Sequence, residues 1–152
     1  MTARLILRLK GGLGNQLFQY AAARSVAHRN QVPLYLDAFS GFGSDPYARS
    51  FRLNCFAIRA ELLPEQECRR LKWSRLQRKL RSYRERCFIR WLGRSYDPFL
   101  SGLRVSRDVV LEGYWQSERY FQELSDQLRS ELRLVKELSP ESARLASRIR
   151  GA

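Results

Sequence analysis

The run Lys10-Gly11-Gly12-Leu13-Gly14-Asn15-Gln16 carries residue types suited to holding a ligand by its oxygen atoms. Glycines let backbone amides approach a ligand with no Cβ in the way, and the Asn15 carboxamide offers a hydroxyl both a donor and an acceptor. If this run opens a helix, its first N–H groups are unpaired and lie at the positive end of the helix dipole, which favours an anion. A phosphate-bearing ligand is the first expectation. A tight ligand-free turn, with Asn15 serving as helix cap, stands beside it. A second group follows at Glu112-Gly113-Tyr114-Trp115-Gln116-Ser117. Glu112 has the chemistry to take a proton from an attacking hydroxyl, Tyr114 and Trp115 to stack on a sugar face, and Gln116 to hydrogen-bond its hydroxyls. The same aromatics would equally fill a core between sheet and helix, with Ser117 capping the next helix.

The elements that would position these groups are legible nearby. Leu5-Ile6-Leu7-Arg8-Leu9 is short and apolar enough for a buried strand, and Val32 to Asp37 reads as another. Between them, Gln16 to Arg29 places Leu17, Phe18, Ala21, Ala22 and Val26 on one helical face, with the helix expected from Asn15 to Arg29. A strand, a crossover helix and a second strand imply a parallel pair and hence an α/β sheet. Val105 to Glu112 supplies a further strand whose end opens onto the second group, where such sheets place their ligand crevices.

The remaining segments yield weaker expectations. Ala38 to Ser50, with Gly41, Gly43 and Pro46, reads as a loop, and Phe51 to Ile58 as a third short strand. Pro64 starts a helix with Glu65 and Glu67 in its first turn. A basic helical segment is expected over 64–94. Its part from Arg69 to Arg94 holds eleven Lys or Arg against the single acid Glu85, with Trp73, Leu76, Leu80, Tyr83, Cys87 and Trp91 recurring at spacings of three and four. A solvated helix with its aromatic stripe buried is the favoured reading of that segment. Peripheral contact with an anionic membrane or an acidic saccharide is the other. A helix with Ser117 as N-cap is expected from Glu118 to Leu134, with Tyr120, Phe121, Leu124, Leu128 and Leu132 on one face. Ser139-Pro140-Glu141 starts a last helix. His28, near the end of the first helix, reads as a surface residue favourable to the dipole.

Composition bounds the class. A chain of 152 residues fits one domain that buries roughly 68–70% of its unfolded surface. With 44% hydrophobic and 12% aromatic residues it is globular rather than disordered. Lys and Arg outnumber Asp and Glu 28 to 15, giving a net charge of +13 that suits anionic partners without choosing among them. Cys55, Cys68 and Cys87 form no close grouping with each other or with His28, so no metal site is expected, and the odd count suits reduced thiols in a cytoplasmic setting. No run approaches the ~20 apolar residues that span a bilayer, and the N-terminal apolar run is too short for a secretory signal.

Two stretches together carry a resemblance. Gly11-Gly12-Leu13-Gly14-Asn15-Gln16-Leu17-Phe18-Gln19-Tyr20-Ala21 resembles the N-terminal signature of the bacterial α-1,2-fucosyltransferases, glycosyltransferase family 11. Leu111-Glu112-Gly113-Tyr114-Trp115-Gln116-Ser117-Glu118-Arg119-Tyr120-Phe121 resembles that family's second signature, and Tyr35-Leu36-Asp37 and Arg52-Leu53 sit where the family has its second strand and the segment after it. The resemblance implies residues 1–152 as the N-terminal Rossmann-like domain of a GT-B-type enzyme, a parallel sheet flanked by helices. The donor-binding C-terminal half, with its His-x-Arg-Arg-x-Asp signature, would be absent from this stretch. It further implies transfer of L-fucose from GDP-fucose to the 2-hydroxyl of a galactose-terminated glycan with inversion, without a cofactor or metal. Gly12, Leu13, Gly14 and Asn15 would touch GDP-fucose, and Tyr114, Trp115 and Gln116 would lie on the acceptor side. No catalytic residue is assigned. The implied location is cytoplasmic, on the inner membrane face wherever the basic segment makes its peripheral contact.

Two other readings compete. A dinucleotide-binding Rossmann domain has the same order of strand, glycine turn, helix and Asp37, but its fingerprint fails where Leu17 replaces the third glycine. A basic nucleic-acid-binding domain is supported by net charge and the arginine-rich segment alone and leaves both signatures without a purpose, so nucleic acid is not an expected partner.

Overall fold

A computed structural model describes residues 3–76, 81–84, 96–135, 137 and 139–150. Five strands, β1 (Leu5–Arg8), β2 (Leu34–Asp37), β3 (Glu61–Leu62), β4 (Arg81–Arg84) and β5 (Val109–Glu112), form one sheet in the order β3-β2-β1-β5-β4. Every neighbouring pair is parallel, which makes the chain an α/β, Rossmann-like domain with a parallel sheet flanked by helices. The central strands are continuous apolar runs because both faces are covered. Leu5, Leu7, Val109 and Leu111 join the main core with Tyr20, Ala22 and Val26 of α1 (Leu13–Asn30), whereas Ile6 and Val110 turn to the other face and meet Leu63 and Cys68. Cys68 belongs to α2 (Glu65–Leu76), so the two helices sandwich the sheet.

β1 is where the strand order reverses. Its neighbour on one side, β2, follows it through α1, and its neighbour on the other side, β5, arrives from far along the chain. The chain leaving β1 runs into α1, and the chain leaving β5 runs into turns that pack on the same face as α1 through Tyr120, Leu124 and Leu128.

Three expectations are corrected. The basic segment 64–94 is not one helix: α2 ends at Leu76 and Arg81–Arg84 pairs as β4 with β5. Its residues 77–80 and 85–94, with Leu80, Cys87 and Trp91, lie outside the described residues. The strand expected over 51–58 is a 3-10 turn at Leu53–Cys55 with a single bridge at Phe56, and the third strand is instead Glu61–Leu62. The helix expected over 118–134 is broken into two 3-10 turns, Glu118–Tyr120 and Gln122–Leu124, and then α4 (Ser125–Glu131). Phe121 breaks it with φ −137°, leaving the helical region so that the Tyr120 ring turns inward, where its hydroxyl accepts a hydrogen bond from Asp97 N. A one-turn helix, α3 (Pro98–Ser101), precedes β5, and α5 (Pro140–Arg150) starts as expected, with Ser139 Oγ accepting from Ser142 N. No helix among the described residues is long and apolar enough to cross a membrane.

Candidate functional site

The glycine run joins β1 to α1 as its spacing predicts. Gly11 has φ +79°, a left-handed conformation that a Cβ would strain, and a Cβ there would also meet Asn15 Nδ2 at 2.8 Å. Gly12 is the N-cap of α1 in extended conformation, no side chain caps the helix, and no acid stands in its first turn. The first intrahelical bond runs from Gln16 N to Gly12 O, so the amides of Leu13, Gly14 and Asn15 have no partner among the described residues. This is a bare, positively polarised helix end.

Asn15 therefore lies inside the first turn and is not the cap. Its Oδ1 accepts a hydrogen bond of 2.8 Å from Gln116 Nε2, a contact between residues 101 apart in the chain. Both signatures thus meet at the carboxyl end of the sheet. Asn15 Nδ2 and Gln116 Oε1 have no partner among the described residues, so the pair presents a donor and an acceptor outward. Lys10 Nζ lies 4.8 Å above the centre of the half-buried Tyr114 ring and ties the two loops together a second time.

Two glutamines that pattern reading gave no ligand role hold this turn in shape. Gln16 is fully buried; its Nε2 donates to Gly11 O and Ser50 O at 2.9 Å each, and its Oε1 accepts from Arg52 N at 2.9 Å. Gln19, also fully buried, exchanges two hydrogen bonds with the Lys10 backbone. Trp115 is fully buried in the main core with φ +44°, so its indole fills the space between sheet and helix instead of facing the crevice. The packing alternative describes it.

Beside the helix end, a cleft of about 660 Å³ is lined by Gly12, Leu13, Gln16, Arg49, Arg52 and Asn54, among others. Arg49 faces Asp45 at 3.9 Å and stacks over Tyr47, whereas the exposed Arg52 guanidinium has no partner among the described residues. A slightly larger groove of about 700 Å³ runs along the outer face of α1 past Leu17, Phe18, Phe121 and Leu128. Its lining is mainly apolar, its Arg129 pairs with Asp126 at 3.2 Å, and it lacks the bare amides of the smaller cleft. Among the described residues no group of three His, Cys, Asp or Glu side chains is placed to hold a metal ion.

Reasoning from the sequence missed Arg8. The signal was present as a basic residue in the inward parity of an otherwise apolar strand. Its Nε donates to Ser40 Oγ at 2.7 Å and lies 3.6 Å from Asp37 Oδ2, and its Nη1 lies 3.7 Å from Glu112 Oε1. Burial raises the pKa of the Asp37 carboxyl, but hydrogen bonds from the Ser40 hydroxyl and the Ser40 and Phe39 amides outweigh it and hold the group below the usual carboxylate range.

The fold is α/β and Rossmann-like, with a bare helix end and the Asn15–Gln116 pair at the carboxyl end of its sheet. No protein-family model matches this chain, and no solved structure matches it. It is 28% identical over 127 residues to an alpha-1,2-colitosyltransferase of Escherichia coli, an alignment that covers 82% of this chain and 43% of that protein. The chain thus spans less than half the length of that relative.

Proposed function

We propose that this chain is the N-terminal, Rossmann-like part of a GT-B-type glycosyltransferase that moves L-fucose from GDP-fucose to the 2-hydroxyl of a galactoside with inversion. One observation carries the reading. The two stretches that resemble the fucosyltransferase signatures are joined by the Asn15–Gln116 hydrogen bond at the carboxyl end of the sheet, in a chain that aligns over 127 residues to a glycosyltransferase. In this scheme the amides of Leu13 and Gly14, with Gly12 leaving the approach open, bind the diphosphate of the sugar nucleotide, and Asn15 binds the transferred sugar. The acceptor hydroxyl attacks the anomeric carbon and loses its proton, and the bond to the diphosphate oxygen breaks. Charge grows on the departing GDP, where amides and the free Arg52 cation are worth most. Tyr114 and Gln116 lie on the acceptor side.

The similarity to an alpha-1,2-colitosyltransferase supports a second donor, an activated colitose. Isothermal titration of GDP-fucose and of nucleotide-activated colitose into the chain tests both. Saturable binding is expected, and it is lost in Gly14→Asp, which puts a carboxylate among the bare amides. A wild-type chain that binds neither donor overturns the reading. A chain that takes only the colitose donor moves the assignment to the second one.

A further inference from the structure

The helix α5 turns an apolar stripe to the outside. Ser142, Leu145, Ala146 and Ile149 fall at i, i+3, i+4 and i+7 and so share one face. Every residue from 140 to 149 is exposed except the half-buried Ala146, with Leu145 at 54% and Ile149 at 68%. Arg148, one turn on from Leu145, borders the stripe. A helix of 11 residues is marginal in water by its own propensity and gains its stability from packing.

A surface that matches the stripe lies on the same molecule. The groove of about 700 Å³ along α1 offers Leu17, Phe18, Phe121, Leu128 and Leu132, and Phe18 keeps 36% of its surface exposed. Glu118, also on the lining, is exposed and has no partner among the described residues, whereas Arg129 is held by Asp126. The groove is thus apolar beside an uncompensated acid, and α5 is apolar beside a cation.

Within one chain the two surfaces are kept apart. No residue of α5 lines the groove. Just after α4 the chain is pinned to the 55–57 loop, where Ala57 N donates to Arg133 O and Val135 N donates to Cys55 O. Residues 136–139 alone remain to turn α5 back, at most ~14 Å of chain. A second copy meets no such tether.

We propose that two copies of this chain pair by exchanging α5, each laying the Leu145–Ile149 stripe in the other's groove along α1. The exchange is reciprocal, as a two-fold axis requires, so both stripes and both grooves are covered. It does not depend on the donor reading, since none of Gly12, Gly14 and Asn15 lines the groove.

Sedimentation equilibrium over a range of chain concentrations tests it, in about 0.15 M salt, which screens the +13 charge of each copy beyond ~8 Å. A reversible monomer–dimer equilibrium is expected. Leu145→Asp on the stripe and Phe18→Asp in the groove should each weaken the dimer about tenfold or more. Circular dichroism checks folding; if Phe18→Asp does not fold, Glu118→Arg takes its place, setting a like charge against Arg148. Hydrogen exchange supplies the second readout. Amides of α5 should exchange about tenfold faster once dilution has produced monomer, while those of β1 do not change. The proposal is overturned by a chain that stays monomeric at every concentration, or by a dimer that Leu145→Asp leaves intact. A dimer broken by Leu145→Asp but not by the groove variants overturns it too, because the stripe then docks elsewhere. A monomer whose α5 amides are already slow gives the groove to the chain's own helix and likewise ends the exchange.

Discussion

Asn15 and Gln16 are neighbours in one motif with opposite tasks, and burial separates them. Gln16 is sealed in the core and its amide satisfies three backbone groups, so Gln16→Leu leaves Gly11 O, Ser50 O and Arg52 N without partners. At ~1–3 kcal/mol for each buried group left unsatisfied, that variant should lose on the order of 3 kcal/mol or more, read from urea midpoints. Asn15 makes one contact at the rim, to an exposed partner. Asn15→Ala should therefore cost about 1 kcal/mol or less of stability while weakening GDP-fucose at least about tenfold, as read by calorimetry beside a thermal melt. Equal losses in both assays would make Asn15 another brace. The motif was visible in the sequence, and so was the split that gives Asn15 the outward role and Gln16 a structural one. What Gln16 braces was not, because that depends on loop 50–52 arriving beneath it.

The elements show why some expectations held and others failed. β1, α1, β2 and β5 each announce themselves by local pattern, since a strand buried on both faces is a run of aliphatics and a helix over a core repeats every three or four residues. β4 announces nothing. Arg81-Ser82-Tyr83-Arg84 is a strand through its pairing with β5, a partner more than twenty residues onward, and its arginines suit an edge position. The row Asp37–Arg8–Glu112 was equally hidden, because its three residues become neighbours only through register. Long-range anchoring also explains where α4 ends. Glu131 is 2% exposed and receives the Tyr20 hydroxyl, Arg24 Nε and Gln127 Nε2, while Tyr20 Oη accepts from Arg59 N. One phenol thus clamps α1, α4 and the strand-free loop together. Tyr20→Phe should cost about 1–3 kcal/mol and should speed amide exchange in α4 before it does so in β1. Uniform exchange throughout the chain would mean that the clamp is not local.

The whole molecule carries strongly basic charge around a core that hides ionisable groups, and its stability should therefore respond to pH from both directions. Burial first, then the Asp37 charge and its hydrogen bond, push the Cys68 thiol up to about 12; burial and the hydrogen bond to Glu131 raise the Tyr20 phenol above its ordinary value as well. Both groups titrate normally once unfolded, near 8.5 and 10. Above those values the unfolded chain binds fewer protons than the native one, so stability is complete below about pH 8.5 and falls as pH climbs toward 12. Asp37 works in the opposite sense. Its native carboxyl sits below its unfolded value near 3.9, so its contribution is present above that pH and fades as acid drives protonation. The melting temperature should thus form a plateau between about pH 5 and 8, with a shoulder falling on each side. Cys68→Ala removes a thiol that must ionise on alkaline unfolding, so it should make the fall between about pH 9 and 12 shallower, and by removing a hydrogen bond to the Asp37 carboxylate it should also weaken the acid limb slightly. If the alkaline limb of that variant matches the wild type, the burial of Cys68 against Asp37 does not govern it. The descent would then belong to Tyr20, and Tyr20→Phe should flatten it in turn.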